Sequence, residues 1–417
     1  LCGIIKNPDD TVTREETVTS AETLYHRFRK PLFITRGSRG SLAIDQSGIY
    51  EVPGLMIVSK IDTVGAGDSF LAGSASALAA GYDLITASTL GSLTAGVTVQ
   101  KLFQTGTASP DEVLAIGKDP DYIYNPELAE DKRHAVYLNN SEIEIINKRK
   151  NDFHIKHAIF DHDGTISTLR QGWETIMAPM MVKAILGNQY NSSDETLYKK
   201  VQARVDEYID ITTGIQTLAQ MKGLLALIRE FGCVPENDML DEYGYKKIYN
   251  DELLKMVRKR EDKYTRGELS LDDLTIKNAV PFLMQIRNAG VRLYLVSGTD
   301  EEDVKQEVKT LGYDHLFDGG ISGAVGDIKK EAKKIVLDRI LNSIGEAASS
   351  SVATFGDGPV EIRETRKRNG ITIGVASDEV RRFGLNEKKR TRLIKAGADI
   401  IIPDFSQSGQ LLHLLNI

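Results

Sequence analysis

The sequence predicts an α/β protein of two domains, with a parallel β-sheet in the C-terminal domain and a helical insertion within it. Three observations support this prediction. A chain of 417 residues exceeds what one hydrophobic core usually supports. Strand-like and helix-like segments alternate over residues 291–404, as expected of a parallel sheet covered by helices. A mostly helical stretch, about 170–280, separates these strands from an earlier one that ends near residue 160.

The composition narrows the class of protein. A net charge of −7 argues against nucleic-acid binding and membrane-surface binding, because both need a basic surface. The two cysteines, Cys2 and Cys233, are too few for a disulfide framework, and no apolar run approaches the roughly 20 residues that span a bilayer. We therefore expect a cytoplasmic protein. The first residue is Leu1, which suggests a fragment of a longer chain.

The N-terminal domain is predicted over residues 1–118. Residues 32–52 read as three short strands, since β-branched residues lie between glycines and polar turns. Residues 70–102 are rich in alanine and other small residues and predict tightly packed, buried helices. A polar segment over 119–152 is expected to connect this domain to the next, with one strand near 143–146. The second domain is predicted over residues 153–417.

The second domain opens with the segment "IFDHDGT", in which Asp161 and Asp163 follow an apolar strand. Side chains two residues apart on an extended chain point the same way, so both carboxylates can face one site at the end of the strand. Adjacent carboxylates repel each other, and Mg²⁺ would relieve that repulsion. The alternative is a surface turn, because all these residue types favour turns.

Three later segments strengthen the catalytic interpretation. "LYLVSGT" ends a strand with Ser297 and Gly298, which offer a hydroxyl and a backbone N–H to an anion. "GDIKKEAKKIV" supplies lysines that could neutralise a phosphoryl group. "ATFGDGPVEI" ends another strand with Asp357 and adds Glu361. Together these segments predict a site for phosphoryl chemistry with a bound cation.

These four motifs resemble, in order, those of the haloacid dehalogenase superfamily over roughly residues 155–417. The resemblance implies a Rossmann-like core and phosphoryl transfer through an aspartyl-phosphate. Asp161 would be the nucleophile and Asp163 the general acid and base. Ser297, Gly298 and a lysine would bind the phosphoryl oxygens, while Asp161, the backbone carbonyl of Asp163, and Asp357 would hold Mg²⁺.

The resemblance leaves three points open. Lys330 fits the spacing of the family slightly better than Lys329, because it lies five residues before Ile335. His162 stands where the family commonly has an apolar residue, and either packs or touches substrate. Glu361 replaces the more common aspartate, so it is expected to support the site rather than to bind the metal.

The helical stretch at about 170–280 resembles the cap that many members of the superfamily insert after the first motif. Such a cap closes over the core and favours a small-molecule substrate over a phosphoprotein.

The N-terminal domain contains a second motif, "DTVGAGDSF" at residues 62–70. A glycine-rich turn that leads into a helix presents backbone N–H groups to an anion, and Gly65, Ala66 and Gly67 would form this anion hole. Asp68 could accept a proton from a hydroxyl that attacks a phosphate. The alternative is a plain helix start with Asp68 as a capping residue.

In full, this motif resembles the C-terminal signature of the ribokinase/PfkB family of sugar kinases, over about residues 1–117. The resemblance implies ATP as cofactor, Asp68 as catalytic base and an adenine site near 90–101. "KNPDD" (6–10) is weakly similar to the phosphate-and-metal motif of that family. The signature lies late in full-length kinases, so this part is expected to be a partial ribokinase-like α/β domain that lacks most sugar contacts.

The two resemblances together predict a Mg²⁺-dependent phosphatase for a small phosphomonoester, with a sugar phosphate as the expected substrate, fused to an incomplete ATP-dependent sugar-kinase-like domain. One alternative is a phosphomutase that uses the same aspartyl-phosphate. Another is a phosphatase regulated by a non-catalytic, nucleotide-binding module. The sequence identifies neither the sugar nor the oligomeric state.

Overall fold

The computed structural model describes residues 12–57, 61–104, 106–148, 153–192, 194–213, 217–324, 332–345 and 350–417. The chain divides into two compact units, Leu1–Arg133 and His134–Ile417. The predicted connecting segment over 119–152 is therefore shared between the units, since its first part lies in unit 1 and its later part in unit 2.

The described residues of unit 1 form a small antiparallel sheet and five α-helices. Its sheet has the order β1–β2–β3, and β4 pairs with β5 in a separate two-stranded ribbon. The strands are β1 (Leu32–Thr35), β2 (Ser41–Asp45), β3 (Gly48–Val52), β4 (Gly54–Leu55) and β5 (Tyr122–Ile123); the helices are α1 (Arg14–Phe28), α2 (Ala66–Ala79), α3 (Leu84–Thr98), α4 (Pro110–Gly117) and α5 (Pro126–Glu130). The three strands predicted within residues 32–52 are all present.

Helices α2 and α3 lie in close contact because glycines face each other across their interface. A Cβ atom on Gly91 would lie 2.7 Å from the backbone oxygen of Phe70, and one on Gly73 would lie 3.0 Å from the Cα of Gly91. The prediction that these helices are buried is confirmed for much of α3 but is wrong for the outer face of α2. Leu71 and Leu78, on the other face of α2, are 65% and 42% exposed.

Unit 2 is built on a seven-stranded sheet with the order β6–β12–β11–β10–β7–β8–β9. Its strands are β6 (Glu144–Ile145), β7 (His157–Phe160), β8 (Arg292–Asp300), β9 (Ile321–Ala324), β10 (Val352–Gly356), β11 (Ile371–Val375) and β12 (Ile400–Ile402). All neighbouring strands are parallel except the edge strand β6, which is antiparallel to β12. Most positions of the central strands are buried, as expected of a parallel sheet covered on both faces.

Ten helices of unit 2 are described. They are α6 (Glu174–Leu186), α7 (Glu195–Thr212), α8 (Thr217–Phe231), α9 (Glu242–Thr265), α10 (Ala279–Asn288), α11 (Glu301–Leu311), α12 (Ala332–Ile344), α13 (Pro359–Lys367), α14 (Glu387–Ala396) and α15 (Ser408–Leu414). Helices α6–α9 lie between β7 and β8 in sequence, which is where the helical cap was predicted. They pack through buried side chains such as Met181, Val205, Leu224 and Leu253.

The order of the strands explains where a site can form. The chain leaves β7 toward β8 and β9 on one side, then returns to β10, β11 and β12 on the other. Loops therefore diverge at the carboxyl ends of β7 and β10, and this divergence leaves a crevice in an open α/β sheet. Among the described residues, no helix is long and apolar enough to cross a membrane.

Candidate active site

The carboxyl ends of three neighbouring strands bring the predicted catalytic residues together. Asp161 follows β7, Asp357 follows β10, and Ser297 lies within β8. The sheet order places β7 between the other two strands. Asp161, Asp163, Gly298 and Asp357 all line one cleft of about 130 Å³. The structure thus joins motifs that lie far apart in the sequence.

Asp161 contacts a buried lysine that the sequence analysis did not select. Lys333 Nζ lies 2.9 Å from Asp161 Oδ1 and 2.7 Å from Glu361 Oε2. The other Glu361 oxygen, Oε1, accepts a hydrogen bond of 2.8 Å from the backbone N–H of Gly358. Glu361 therefore holds Lys333 in place. Lys329 and Lys330 lie outside the described residues.

The position of Lys333 on its helix carries a signal that the sequence analysis missed. Helix α12 has a buried apolar stripe that includes Val336, Leu337 and Leu341. Lys333 precedes the first two of these by three and four residues, so it shares their face. A lysine on a buried stripe needs a partner for its charge, and here two carboxylates supply it.

Burial raises the pKa of Asp161 well above its ordinary value, and the carboxylates of Glu361 and Asp357 add to this rise while Lys333 opposes it. Oxygen atoms of Asp161, Asp357 and Glu361 lie within 4.8 Å of one another. A compact set of buried carboxylate oxygens fits a hard divalent cation such as Mg²⁺. Gly164 leaves room beside this set, since a Cβ there would lie 2.3 Å from Asp357 Oδ2.

A second buried lysine contacts the predicted metal ligand Asp357. Lys389 Nζ lies 2.6 Å from Asp357 Oδ2 and 2.6 Å from Glu379 Oε1. Burial alone would raise the pKa of Asp357, but Lys389 and Arg392 bring it below its ordinary value. Asp357 is therefore held in the ionised form that a metal ligand requires. No motif in the sequence pointed to Lys389, because its partners lie on other elements.

Asp163 is placed by two hydroxyl groups from β8. Thr299 Oγ1 donates to Asp163 Oδ2 over 2.9 Å, and Ser297 Oγ donates to the same oxygen over 3.3 Å. Burial by itself would raise the pKa of Asp163, but His162, Arg170 and Thr299 bring it well below its ordinary value. Ser297 and Thr299 thus both contact the second aspartate of the first motif, Asp163.

The cap contributes one side of the cleft. Gln220 lies on α8, and Lys246 and Tyr249 lie on α9; all three line the cleft opposite the strand ends. Lys246 Nζ also forms an ion pair with Asp300 Oδ1 at 2.8 Å, which ties the cap to the end of β8. A bound molecule would therefore contact residues of both the cap and the core.

The predicted anion hole of unit 1 lies at the start of α2. Gly65 is the N-cap residue of this helix and has a φ of 80°, a conformation that favours glycine. The turn before it is fixed by Asp62, whose carboxylate accepts hydrogen bonds from the backbone N–H groups of Val64 and Phe103. Asp68 lies exposed in the first turn of the helix. The "KNPDD" segment lies outside the described residues.

Comparison with protein families confirms both resemblances. The profile described as "pfkB family carbohydrate kinase" matches residues 4–112. The profile described as "haloacid dehalogenase-like hydrolase" matches residues 155–364, which is about half of the chain. The chain therefore joins a kinase-like part to a hydrolase part, as the motifs predicted.

Curated relatives match a small part of the chain. A nucleoside kinase of Methanocaldococcus jannaschii is 38% identical over 84 residues, which cover 20% of this chain and 28% of the relative. The bifunctional protein HldE of Coxiella burnetii is 36% identical over 91 residues, which cover 22% of this chain and 19% of that protein. The chain thus spans well under a third of the length of these relatives.

Among solved structures, the β-phosphoglucomutase of Clostridium difficile is similar to 63% of this chain. The similarity covers 97% of that protein at 15% sequence identity, with a TM-score of 0.41.

Proposed function

Because the chain belongs to the haloacid dehalogenase-like hydrolase family, we propose that unit 2 is a Mg²⁺-dependent phosphatase that acts through an aspartyl-phosphate. One observation carries this proposal: a buried aspartate, Asp161, lies in a cleft beside Lys333 and a second aspartate, Asp163. The expected substrate is a small phosphomonoester, and a sugar phosphate is the class we favour.

In the first step, a carboxylate oxygen of Asp161 attacks phosphorus and the ester P–O bond breaks. The bonding electrons pass to the ester oxygen, which takes a proton from Asp163. In the second step, Asp163 takes a proton from water as that water attacks phosphorus. The acyl–phosphate bond then breaks, which releases phosphate and restores the Asp161 carboxylate.

Asp163 must be protonated for the first step, although the surrounding side chains hold it ionised in the free protein. A phosphoryl group in the cleft adds negative charge next to Asp163, and a like charge favours the neutral form of a carboxyl group. Substrate binding would thus prepare Asp163 to act as an acid.

Residues on both sides of Asp161 would hold the phosphoryl oxygens. Ser297, Gly298 and Lys333 supply a hydroxyl, a backbone N–H and an ammonium group. Lys330 remains a candidate for the same role from outside the described residues. Asp161, the backbone carbonyl of Asp163, and Asp357 would hold Mg²⁺, which stabilises the negative charge that develops on the transferring group.

The cap supports a small substrate. Lys246 and Tyr249 of α9 line the same cleft as Asp161 and Asp163, so the cap covers part of the site. A protein-bound phosphate would have to displace the cap, whereas a sugar phosphate has several hydroxyl groups for polar residues such as Gln220.

For unit 1 we infer binding of ATP phosphates by Gly65, Ala66 and Gly67, with Asp68 beside them as a candidate base. Support comes from the left-handed conformation of Gly65 and from the backbone N–H groups at the start of α2, where the helix dipole favours an anion. Calorimetric titration of ATP with Mg²⁺ tests this inference. No heat of binding, and no effect of ATP on phosphatase activity, would contradict it.

A screen of sugar phosphates for phosphate release with Mg²⁺ tests the proposed function, with Asp161→Asn as the control. We expect release by the wild-type protein and loss in the variant, because an amide cannot replace the carboxylate in attack. Adding a bisphosphorylated sugar distinguishes a phosphomutase from a phosphatase. Isomer formation without free phosphate would contradict hydrolysis, and full activity of Asp161→Asn would contradict the assigned nucleophile.

A further inference from the structure

Next to Asp163 lies a buried group of side chains that the proposed mechanism does not yet use. It consists of His162, Arg170, Glu307 and Tyr313, and the exposed fraction of these residues ranges from 0% to 9%. Buried charges are costly unless they are paired. We therefore expect these buried groups beside Asp163 to have a role in the site.

The two oxygens of Asp163 lie in different surroundings. Oδ2 accepts the hydrogen bonds from Ser297 and Thr299. Oδ1 is buried and has no hydrogen-bond partner among the described residues. It instead lies 3.6 Å from His162 Nδ1 and 3.9 Å from Arg170 Nε. Hydrogen bonds thus fix Oδ2, and the positive charge of the Arg170 guanidinium attracts Oδ1.

Arg170 is itself held from two directions. Its Nε and Nη2 atoms donate to Glu307 Oε1 over 2.9 Å and 2.5 Å. The backbone on either side of it is held by the cap, since Arg260 Nη1 donates to the carbonyl oxygens of Leu169 and Gln171 over 2.6 Å and 2.8 Å. The guanidinium therefore has little freedom to move relative to Asp163.

His162 completes the group. It is fully buried, so it packs rather than touching substrate, and its Nε2 lies 2.9 Å from the hydroxyl of Tyr313. Its Nδ1 lies between Asp163 Oδ1 and Glu307 Oε2, at 3.6 Å and 3.8 Å. The ring thus fills the space between the two carboxylates and keeps them apart.

Arg170 and Asp163 form a long ion pair, with Arg170 Nε 3.9 Å from Asp163 Oδ1, and no hydrogen bond joins the two side chains among the described residues. Here Glu307 takes the two hydrogen bonds of Arg170, so Asp163 receives the orienting charge at a longer distance. Arg170 thus acts on Asp163 through its charge and its fixed position rather than through a direct hydrogen bond.

We propose that Arg170, fixed by Glu307, is a positioning residue that aims Asp163 at the leaving oxygen of the substrate. This assignment rests on the proposed function, since it takes Asp163 to be the acid and base. Arg170 lines the cleft beside Asp163, whereas Glu307 lies behind it and is not among the cleft residues. Their effect is to hold the acid where it can transfer a proton as the ester bond breaks.

Two classes of substrate test the proposal. The leaving oxygen of an alkyl phosphate needs a proton from the enzyme, whereas that of p-nitrophenyl phosphate is stable without one. The ratio kcat/KM covers the reaction only up to departure of this oxygen. In Arg170→Met we expect kcat/KM for the alkyl ester to fall about 10- to 100-fold more than for p-nitrophenyl phosphate, since a misplaced acid loses much of its effect.

Three further variants separate positioning from folding. Glu307→Gln should give the same selective loss. Arg170→Lys should give a smaller loss, because lysine keeps the charge but not the planar set of guanidinium N–H donors. The double variant Arg170→Met/Glu307→Leu removes the Glu307 charge together with that of Arg170, so it should regain part of the thermal stability lost in Arg170→Met but keep the selective loss. Arg229→Met, at an exposed ion pair with Glu236, serves as the control and should leave the ratio between substrates unchanged.

Equal losses with both substrates would overturn the positioning role, as would recovery of the normal ratio in the double variant. Absence of turnover of either ester by the wild-type protein with Mg²⁺ is a different result. It would refute the proposed function itself, and with it this assignment.

Discussion

Lys333 Nζ lies 2.9 Å from Asp161 Oδ1, and both side chains are almost completely buried. Burial by itself would lower the pKa of Lys333, but the carboxylates of Asp161 and Glu361 raise it above its ordinary value. The lysine therefore stays charged next to the aspartate that we assign as nucleophile. A fixed positive charge at this point is what a transferring phosphoryl group requires.

Replacing Lys333 tests whether this charge acts in the reaction. We expect Lys333→Met to lower kcat about 10²- to 10³-fold, as removal of one group that stabilises a transition state commonly does. Lys330→Ala is the matched variant, since Lys330 was the lysine predicted from the sequence. Retained activity in Lys333→Met, together with loss in Lys330→Ala, would return the role to Lys330.

Gly164 gives a test of the metal site that removes no ligand side chain. It has a φ of 73°, and a Cβ at this position would lie 2.3 Å from Asp357 Oδ2 and 2.9 Å from Lys389 Nζ. Gly164→Ala should displace Asp357 and weaken Mg²⁺ binding about 10- to 100-fold by calorimetry. Gly409→Ala is the control, because a Cβ there meets no atom within 4 Å. An unchanged affinity of Gly164→Ala for Mg²⁺ would contradict the assignment of Asp357 as a metal ligand.

Removal of the metal should lower stability as well as activity. Bound Mg²⁺ would relieve repulsion among Asp161, Asp357 and Glu361, and a ligand at 100 times its Kd stabilises a folded protein by about 2.7 kcal/mol. We expect EDTA to abolish phosphate release and added Mg²⁺ to raise the Tm. Asp357→Ala should lose this rise, whereas Asp251→Ala, at an exposed ion pair with Lys247, should keep it. A full rise in Asp357→Ala would argue against a metal at this site.

The edge strand β6 is attached to the core by a buried ion pair. Arg390 Nε and Nη2 each lie 2.6 Å from an oxygen of Glu144, and both side chains are 1% exposed. Arg390→Met leaves the Glu144 charge buried and unpaired, which should cost about 3–5 kcal/mol of the free energy of unfolding. The double variant Glu144→Leu/Arg390→Met should recover most of this loss. Denaturant unfolding measures the free energy of unfolding of both variants. A small effect in the single variant would contradict the inference that the buried ion pair holds β6 to the core.

Much of the site could be predicted from sequence because its motifs are local. Asp161 and Asp163 follow a buried strand, and Ser297 and Asp357 stand at or near the ends of two others, so strand prediction alone places them at one edge of a sheet. The three strands of residues 32–52 were predicted for a similar reason. Apolar alternation and glycine turns are properties of neighbouring residues.

The residues that were missed depend on contacts between distant elements. Lys389 meets Asp357 only because α14 packs near the end of β10, and Arg170 meets Glu307 only because α11 lies beside the loop after β7. Lys333 could have been predicted from the sequence, because it lies on the buried apolar stripe of α12. The exposed Leu71 and Leu78 were missed because an alanine-rich helix has little contrast between its faces.

The most direct test of the central claim is to identify the phosphorylated residue during turnover. The protein is mixed with a sugar phosphate and Mg²⁺, quenched in acid within milliseconds, digested, and analysed by mass spectrometry. The account predicts the mass increment of one phosphoryl group on Asp161, and none in Asp161→Asn. Phosphate release by the wild-type protein without a phosphorylated Asp161, or with the phosphoryl group on another residue, would contradict it.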